Sequence, residues 1–173
     1  MRPGRQLFLL RHAKSSWEDP SLADADRPLA PRGRRALPDL QRHLWESEAR
    51  VDLVLCSPAR RTRETWEGVR AGVRGHVEER FEPGVYGASR TDLLGLIRTV
   101  AKSESSVLIV GHNPGIEELA DGLVGSGEPA ARKRLRDGFP TGGLAKLLVP
   151  NAWGELDWGG AYLEFYVRPR DLR

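Results

Sequence analysis

Two histidines and a group of arginines stand where apolar runs stop. Arg11-His12 follows the run Gln6 to Leu10, and Gly111-His112 follows Val107 to Val110. A third run, Val51 to Cys56, ends in Ser57-Pro58 and leads to Arg60, Arg61 and Arg63. The chain has four histidines, and half of them fall at these ends. A guanidinium fork binds phosphoryl oxygens in pairs and neutralises them. A neutral imidazole can attack phosphorus and carry it as a covalent intermediate. A second, protonated imidazole can stabilise charge on the transferring group. Backbone N–H groups at helix starts after Pro58 or Pro114 would add to such an anion site. This chemistry requires no metal and no cofactor, and no His/Asp/Glu cluster has metal-ligand spacing. A thiol phosphatase built on Cys56 is excluded. Its C-x5-R loop would need arginine at position 62, which is Thr62.

These groups need elements to hold them. Gln6 to Leu10, Val51 to Cys56, His76 to Phe81 and Val107 to Val110 read as strands. Leu144 to Val149 and Tyr162 to Val167 close the sheet, one of them as an antiparallel edge. Helical spacing runs through Ala30 to Glu48, weakened by Gly33 and Pro38. It recurs from Pro58 to Val69 with Ser57 as N-cap, and from Ser89 to Val100. Ile116 to Val124 and Ala130 to Asp137 are also helical, and Gly125 to Pro129 is a loop. Strands alternating with helices predict an α/β fold of three layers, a mostly parallel central sheet with helices on both faces. In such sheets the site lies outside the carboxyl ends of the strands, which is where both histidines fall.

Composition sets the frame. A length of 173 residues predicts one domain spanning 1–173. The hydrophobic content of 39% and charged content of 29% exclude disorder and a membrane-embedded chain. The net charge of +3 is too small to imply nucleic acid. Of the 27 basic side chains 23 are arginine, a bias that composition cannot assign to function. Cys56 is the single cysteine, so there is no disulfide framework. Leu7 to Leu10 is too short for a secretory core, and no run reaches membrane-spanning length. The expectation is a cytoplasmic protein.

Four segments resemble the histidine phosphatase superfamily, the phosphoglycerate mutase-like group, and within it the SixA-type phosphohistidine phosphatases. Leu10-Arg11-His12-Ala13 is similar to the Arg-His-Gly signature. Asp26-Arg27-Pro28-Leu29 with Arg32-Gly33 resembles the R-P-L-x-x-x-G segment of the small SixA-type members. Ser57 to Thr65 resembles S-P-x-x-R-A/T-x-x-T, and Val110 to Pro114 resembles V-G-H-x-P. The resemblance implies that His12 is the nucleophile and that Arg11, Arg61 and His112 bind the phosphoryl group. Arg60 and Arg61 lie 100° apart on a helix, so Arg60 is a surface residue, as is Arg63. Arg27 is either a phosphate contact or a salt bridge fixing its loop. Ser15 either bonds phosphate or caps the loop. Ala13 and Lys14 depart from the larger members' pattern, a change that small SixA-like members tolerate.

Larger members use a carboxylic acid to protonate the leaving group. Here Glu82, at the turn Glu82-Pro83-Gly84, is the candidate, with Glu79 beside it. Trp17 lines the pocket mouth or packs in the core. His43 and His76 are surface residues, and Trp153 and Trp158 are structural. The 29 residues between Glu82 and His112 leave little material for a capping insertion. An open pocket suits phosphohistidine displayed on a protein. Two alternatives are a small-molecule phosphomonoesterase of the same family and a non-catalytic phosphate-binding module. The sequence does not address oligomeric state. A nucleophile that must be neutral predicts a rate that falls toward the acid end of about pH 4–8.

Overall fold

Leu7, Phe8, Leu9 and Leu10 are fully buried, the pattern of a strand covered on both faces. The computed structural model describes residues 4–173 and places them in β1 (Arg5–Arg11). There follow α1 (Pro31–Glu46), β2 (Leu53–Cys56), α2 (Arg60–Val69), β3 (Glu78–Phe81), α3 (Arg90–Arg98) and β4 (Ser106–Gly111). The chain continues through α4 (Gly115–Leu123), β5 (Val124–Gly127), α5 (Pro129–Arg136), β6 (Leu144–Val149) and β7 (Ala161–Val167). The strands form one sheet in the order β3-β2-β4-β1-β6-β7-β5. Four neighbouring pairs are parallel. Strand β6 runs antiparallel to both β1 and β7.

Side chains of β1 alternate between two cores. Leu7 and Leu9 pack with Leu93 and Ile97 of α3 and Ile116 and Leu119 of α4. Phe8 and Leu10 pack with Leu40 and Leu44 of α1 and Trp66 and Val69 of α2. The chain therefore leaves β1 toward one face and leaves the adjacent strand β4 toward the other. That divergence opens a crevice at their carboxyl ends, the switch point where ligands of open α/β sheets bind. Arg11 pairs with Gly111 in the β1–β4 register. His12 and His112 are thus the first residues beyond the sheet on both sides of the crevice.

Three expectations are corrected. Helix α2 starts at Arg60 with Ala59 as its N-cap. Ser57 and Pro58 lie ahead of it in a bend, and Thr62 Oγ1 donates to the Ser57 carbonyl at 2.8 Å. The antiparallel strand β6 is interior, because the segment before it is stitched to the end of β1. Gly142 N donates to the Arg11 and His12 carbonyls, and Arg11 N donates to the Gly143 carbonyl. The edges are β3, exposed along its length, and β5. Residues 124–127, within the expected helix end and loop, form β5 against β7. A Cβ on Gly125 would fall 2.1 Å from the Gly159 carbonyl oxygen. Glycine is needed there for close approach, and the same glycines disguise the strand.

Candidate active site

The register of β1 and β4 brings the His12 and His112 rings to a centroid separation of 5.3 Å, tilted by 56°. His12 is 7% exposed. Its Nδ1 lies 2.8 Å from the Ala13 carbonyl oxygen. A carbonyl only accepts, so Nδ1 carries the proton and Nε2 keeps the lone pair. Burial, reinforced by His112, Arg61 and Arg11, brings the His12 pKa down to about 3 against the pull of the Ala13 bond. His12 is therefore neutral near pH 7. The same forces act on His112. Burial, then Arg61 and Arg11, lower it to about 4, with Asp24 opposing. In the unliganded protein His112 is neutral as well, so the positive charge expected of it falls to the arginines. A bound phosphoryl dianion would raise both imidazoles.

The loop after β1 is tied down from α2. Ala13 N donates to Thr65 Oγ1 at 3.0 Å, and Thr65 Oγ1 donates to the Arg61 carbonyl at 2.7 Å. Gly33 of α1 packs against the same loop, where a Cβ would fall 2.1 Å from the Lys14 carbonyl oxygen. His112 Nε2 lies 2.8 Å from Ser57 Oγ, and His112 Nδ1 is buried with no hydrogen-bond partner among the described residues.

Arg61 is 6% exposed and clamped by Asp24. Its Nη1 donates to the Asp24 carbonyl at 2.6 Å, and its Nη2 donates to Asp24 Oδ2 at 2.9 Å. Tyr86 Oη donates to the same Oδ2 at 2.6 Å, while its ring meets His112 edge-on at 5.4 Å. Tyr86, then Arg61 and Arg27, hold the Asp24 carboxyl well below the usual range. Arg27, also buried, donates to Asp24 Oδ1, the Ser16 carbonyl and Ser15 Oγ. Its bonds and those of Ser15 hold the loop. Arg11 donates from Nη1 to the Phe139 carbonyl at 2.9 Å, and its Nε is buried without a partner among the described residues. It lies close enough to lower both imidazoles.

Both carboxylates expected as proton donors also make structural contacts. Glu82 Oε1 accepts from Gly84 N at 3.0 Å, capping the turn Pro83–Val85. Glu79 accepts from Trp66 Nε1 and pairs with Arg70, fastening β3 to α2. Trp17 is 71% exposed, so it is not in the core, and the Arg27 guanidinium stacks on its ring. Arg60 and Arg63 are exposed, as is His76. His43 is half-buried with its ring edge-on to Phe165, not a free surface residue. Trp153 is buried and Nε1 donates to the Glu104 carbonyl. Trp158 lies under Arg90. Ser57, Asp24 and Tyr86 escaped the sequence reading. By local pattern Ser57 reads as a helix cap. A link between Asp24 and Arg61, or between Asp24 and Tyr86, has no local spacing to reveal it.

The model of the histidine phosphatase superfamily (branch 1) matches residues 7–87, which hold Arg11, His12 and Arg61. An uncharacterized protein of Mycobacterium tuberculosis is 36% identical over 163 residues, covering 93% of this chain and 100% of that one. A structure from Nakamurella multipartitia, provisionally assigned as the phosphohistidine phosphatase SixA, superposes with a TM-score of 0.83 at 32% identity. The match covers 97% of this chain and 99% of that chain. This chain belongs to the histidine phosphatase superfamily. A second provisionally assigned SixA, from Agrobacterium tumefaciens, has a TM-score of 0.80 at 30% identity, covering 98% and 100%. The chain is thus a histidine-type phosphatase with SixA-type relatives. In this phosphatase His112 lies beyond the segment matched by the family model. The pairing of β4 with β1 brings it to His12. Among the described residues no helix is long and apolar enough to cross a membrane, and no group of three or more His, Cys, Asp or Glu side chains could hold a metal ion.

Proposed function

We propose that this phosphatase hydrolyses phosphohistidine on a protein, passing the phosphoryl group through His12 without a metal. The observation that carries this reading is the single bond from His12 Nδ1 to the Ala13 carbonyl, which leaves a neutral Nε2 lone pair in a cationic site. In the first step Nε2 attacks phosphorus and the substrate P–N bond breaks. The departing imidazole takes a proton, with Glu82 assisting. Protonated phosphoramidates break readily, so a weak acid suffices. In the second step water attacks phosphorus, the P–Nε2 bond breaks, and His12 is restored with release of inorganic phosphate.

Arg11 and Arg61 balance the charge on the phosphoryl oxygens. Arg27, through Asp24, sets the loop that frames them. Ser57 Oγ, 2.8 Å from His112 Nε2, fixes the His112 ring beside His12. Choice of a protein substrate is supported by the segment between Glu82 and His112. It holds one short turn, α3 and β4, with α3 packed on α4, and so provides no capping domain. The SixA names of the relatives at 32% and 30% identity point the same way.

The test is rapid acid or base quench after mixing with a phosphohistidine-labelled protein. A base-stable, acid-labile phosphoenzyme should form, and His12→Ala should lose both it and turnover. Turnover that survives His12→Ala without a phosphoenzyme would refute the mechanism. Faster turnover of sugar phosphates or nucleotides than of phosphohistidine would make the chain a small-molecule phosphomonoesterase.

A further inference from the structure

Arg11 and Ala13, the chain neighbours of His12, also line a groove of about 510 Å³. Its other walls come from the start of α1, the segment 137–141 before β6, and the turn Pro169–Asp171 with Arg173. Lys14, Arg32, Arg170 and Arg173 are exposed on these walls. None of the four has a carboxylate partner among the described residues. Elsewhere on the surface Arg42, Arg60, Arg70 and Arg98 pair with Asp39, Glu64, Glu79 and Asp157. Arg34, Arg50, Arg63, Arg90 and Arg136 are exposed without a pair among the described residues, so it is the gathering of cations at one groove, not their being unpaired, that sets this face apart.

Two acidic side chains line the groove, Glu117 and Asp137, and Glu117 is engaged by Asn113. An adjoining groove shares Arg32 and Arg173 and adds Arg35, with Asp39, paired to Arg42, also on its wall. The four free cations come from the loop after β1, the first turn of α1 and the chain's C-terminal turn. Tertiary folding gathers them, so they are not a run of like charge along one solvated face.

We propose that this groove receives a carboxylate-rich segment flanking the phosphohistidine of the substrate protein. The inference rests on the protein-phosphohistidine reading above. A phosphohistidine presented to His12 carries polypeptide on both sides, and the groove opens at His12's own neighbours. Carboxylates there would meet cations that have no internal partner. Basic flanking residues would be repelled. Each exposed pair contributes little and is screened by salt, so the groove sets preference among substrates while the phosphoryl site does the chemistry.

The test uses two phosphohistidine peptides with one core sequence, one flanked by Asp and Glu and the other by Ser and Gln. Phosphate release is measured with the full chain, with its Arg32→Glu/Arg170→Glu variant, and with free phosphoramidate as a substrate that has no flank. The acidic peptide should have a kcat/KM about tenfold higher at low salt, shrinking to about twofold or less at high salt. The double variant should abolish or invert that preference and leave phosphoramidate turnover unchanged. Equal kcat/KM for both peptides overturns the groove and leaves the phosphohistidine reading standing. Hydrolysis of phosphate esters with neither peptide turned over overturns that reading and the groove with it. Loss of phosphoramidate turnover in the double variant would overturn the separation of groove from chemistry.

Discussion

Lowering the pH from 7 to 4 should destabilise this phosphatase measurably through one side chain, His12. Its folded pKa is about 3, and the ordinary imidazole value is 6.5. In the unfolded chain His12 takes up a proton as the pH falls through 6.5. In the folded chain it stays neutral until about pH 3. The unfolded state then binds more protons throughout that window, so the stability present above 6.5 is lost as the pH drops. At about 1.36 kcal/mol per pKa unit, the loss from His12 between pH 7 and 4 is about 3 kcal/mol. That is a large part of the roughly 5–15 kcal/mol that holds a domain folded.

Urea unfolding of the full chain and of His12→Asn, at steps across this range, isolates the effect. The wild-type free energy should fall by about 3 kcal/mol more than that of the variant, whose amide does not titrate. Parallel curves would refute the reasoning, as would a His12 imidazole titrating near 6.5 by NMR. The same burial sets the activity profile. With His12 near 3 and His112 near 4, the acid limb of kcat/KM belongs at the acid end of the range expected from sequence.

Ser57→Ala removes the hydroxyl beside His112 Nε2, a part-buried contact of 2.8 Å. It should lower kcat about tenfold with little change in KM, read from steady-state kinetics. Asp24→Asn removes the anion that occupies the Arg61 fork. Inorganic phosphate should then inhibit several-fold more tightly, and Tm should fall by a few degrees, the cost of an ion pair with one half-exposed partner. Gly33→Ala would drive a methyl group into the Lys14 carbonyl. It should cost about 2 kcal/mol or more in urea unfolding and displace the loop that carries Ala13.

Periodicity and strand ends made much of the sheet legible. Apolar runs such as Val51 to Cys56 and Val107 to Val110 mark strands whatever surrounds them, since burial on both faces demands continuous apolar side chains. Position within such runs places Arg11, His12 and His112 at one end of a parallel sheet. Helical spacing then separates Arg61, which is buried, from Arg60 and Arg63, which are exposed. Strand β5 was hidden because its glycines carry a propensity for loops, and only the approach of β7 explains them.

What the sequence by itself determined is the set of groups able to do phosphoryl chemistry and the strand ends that carry them, because those depend on local pattern. The tertiary structure decided their state. Asp24 reaches Arg61 across 37 positions and Tyr86 across 62. His112 is held by Ser57 across 55 positions. The neutral form of both imidazoles follows from burial and from charges brought close by folding. Hydrogen bonding and desolvation act through space, and only the packed chain fixes which groups are near.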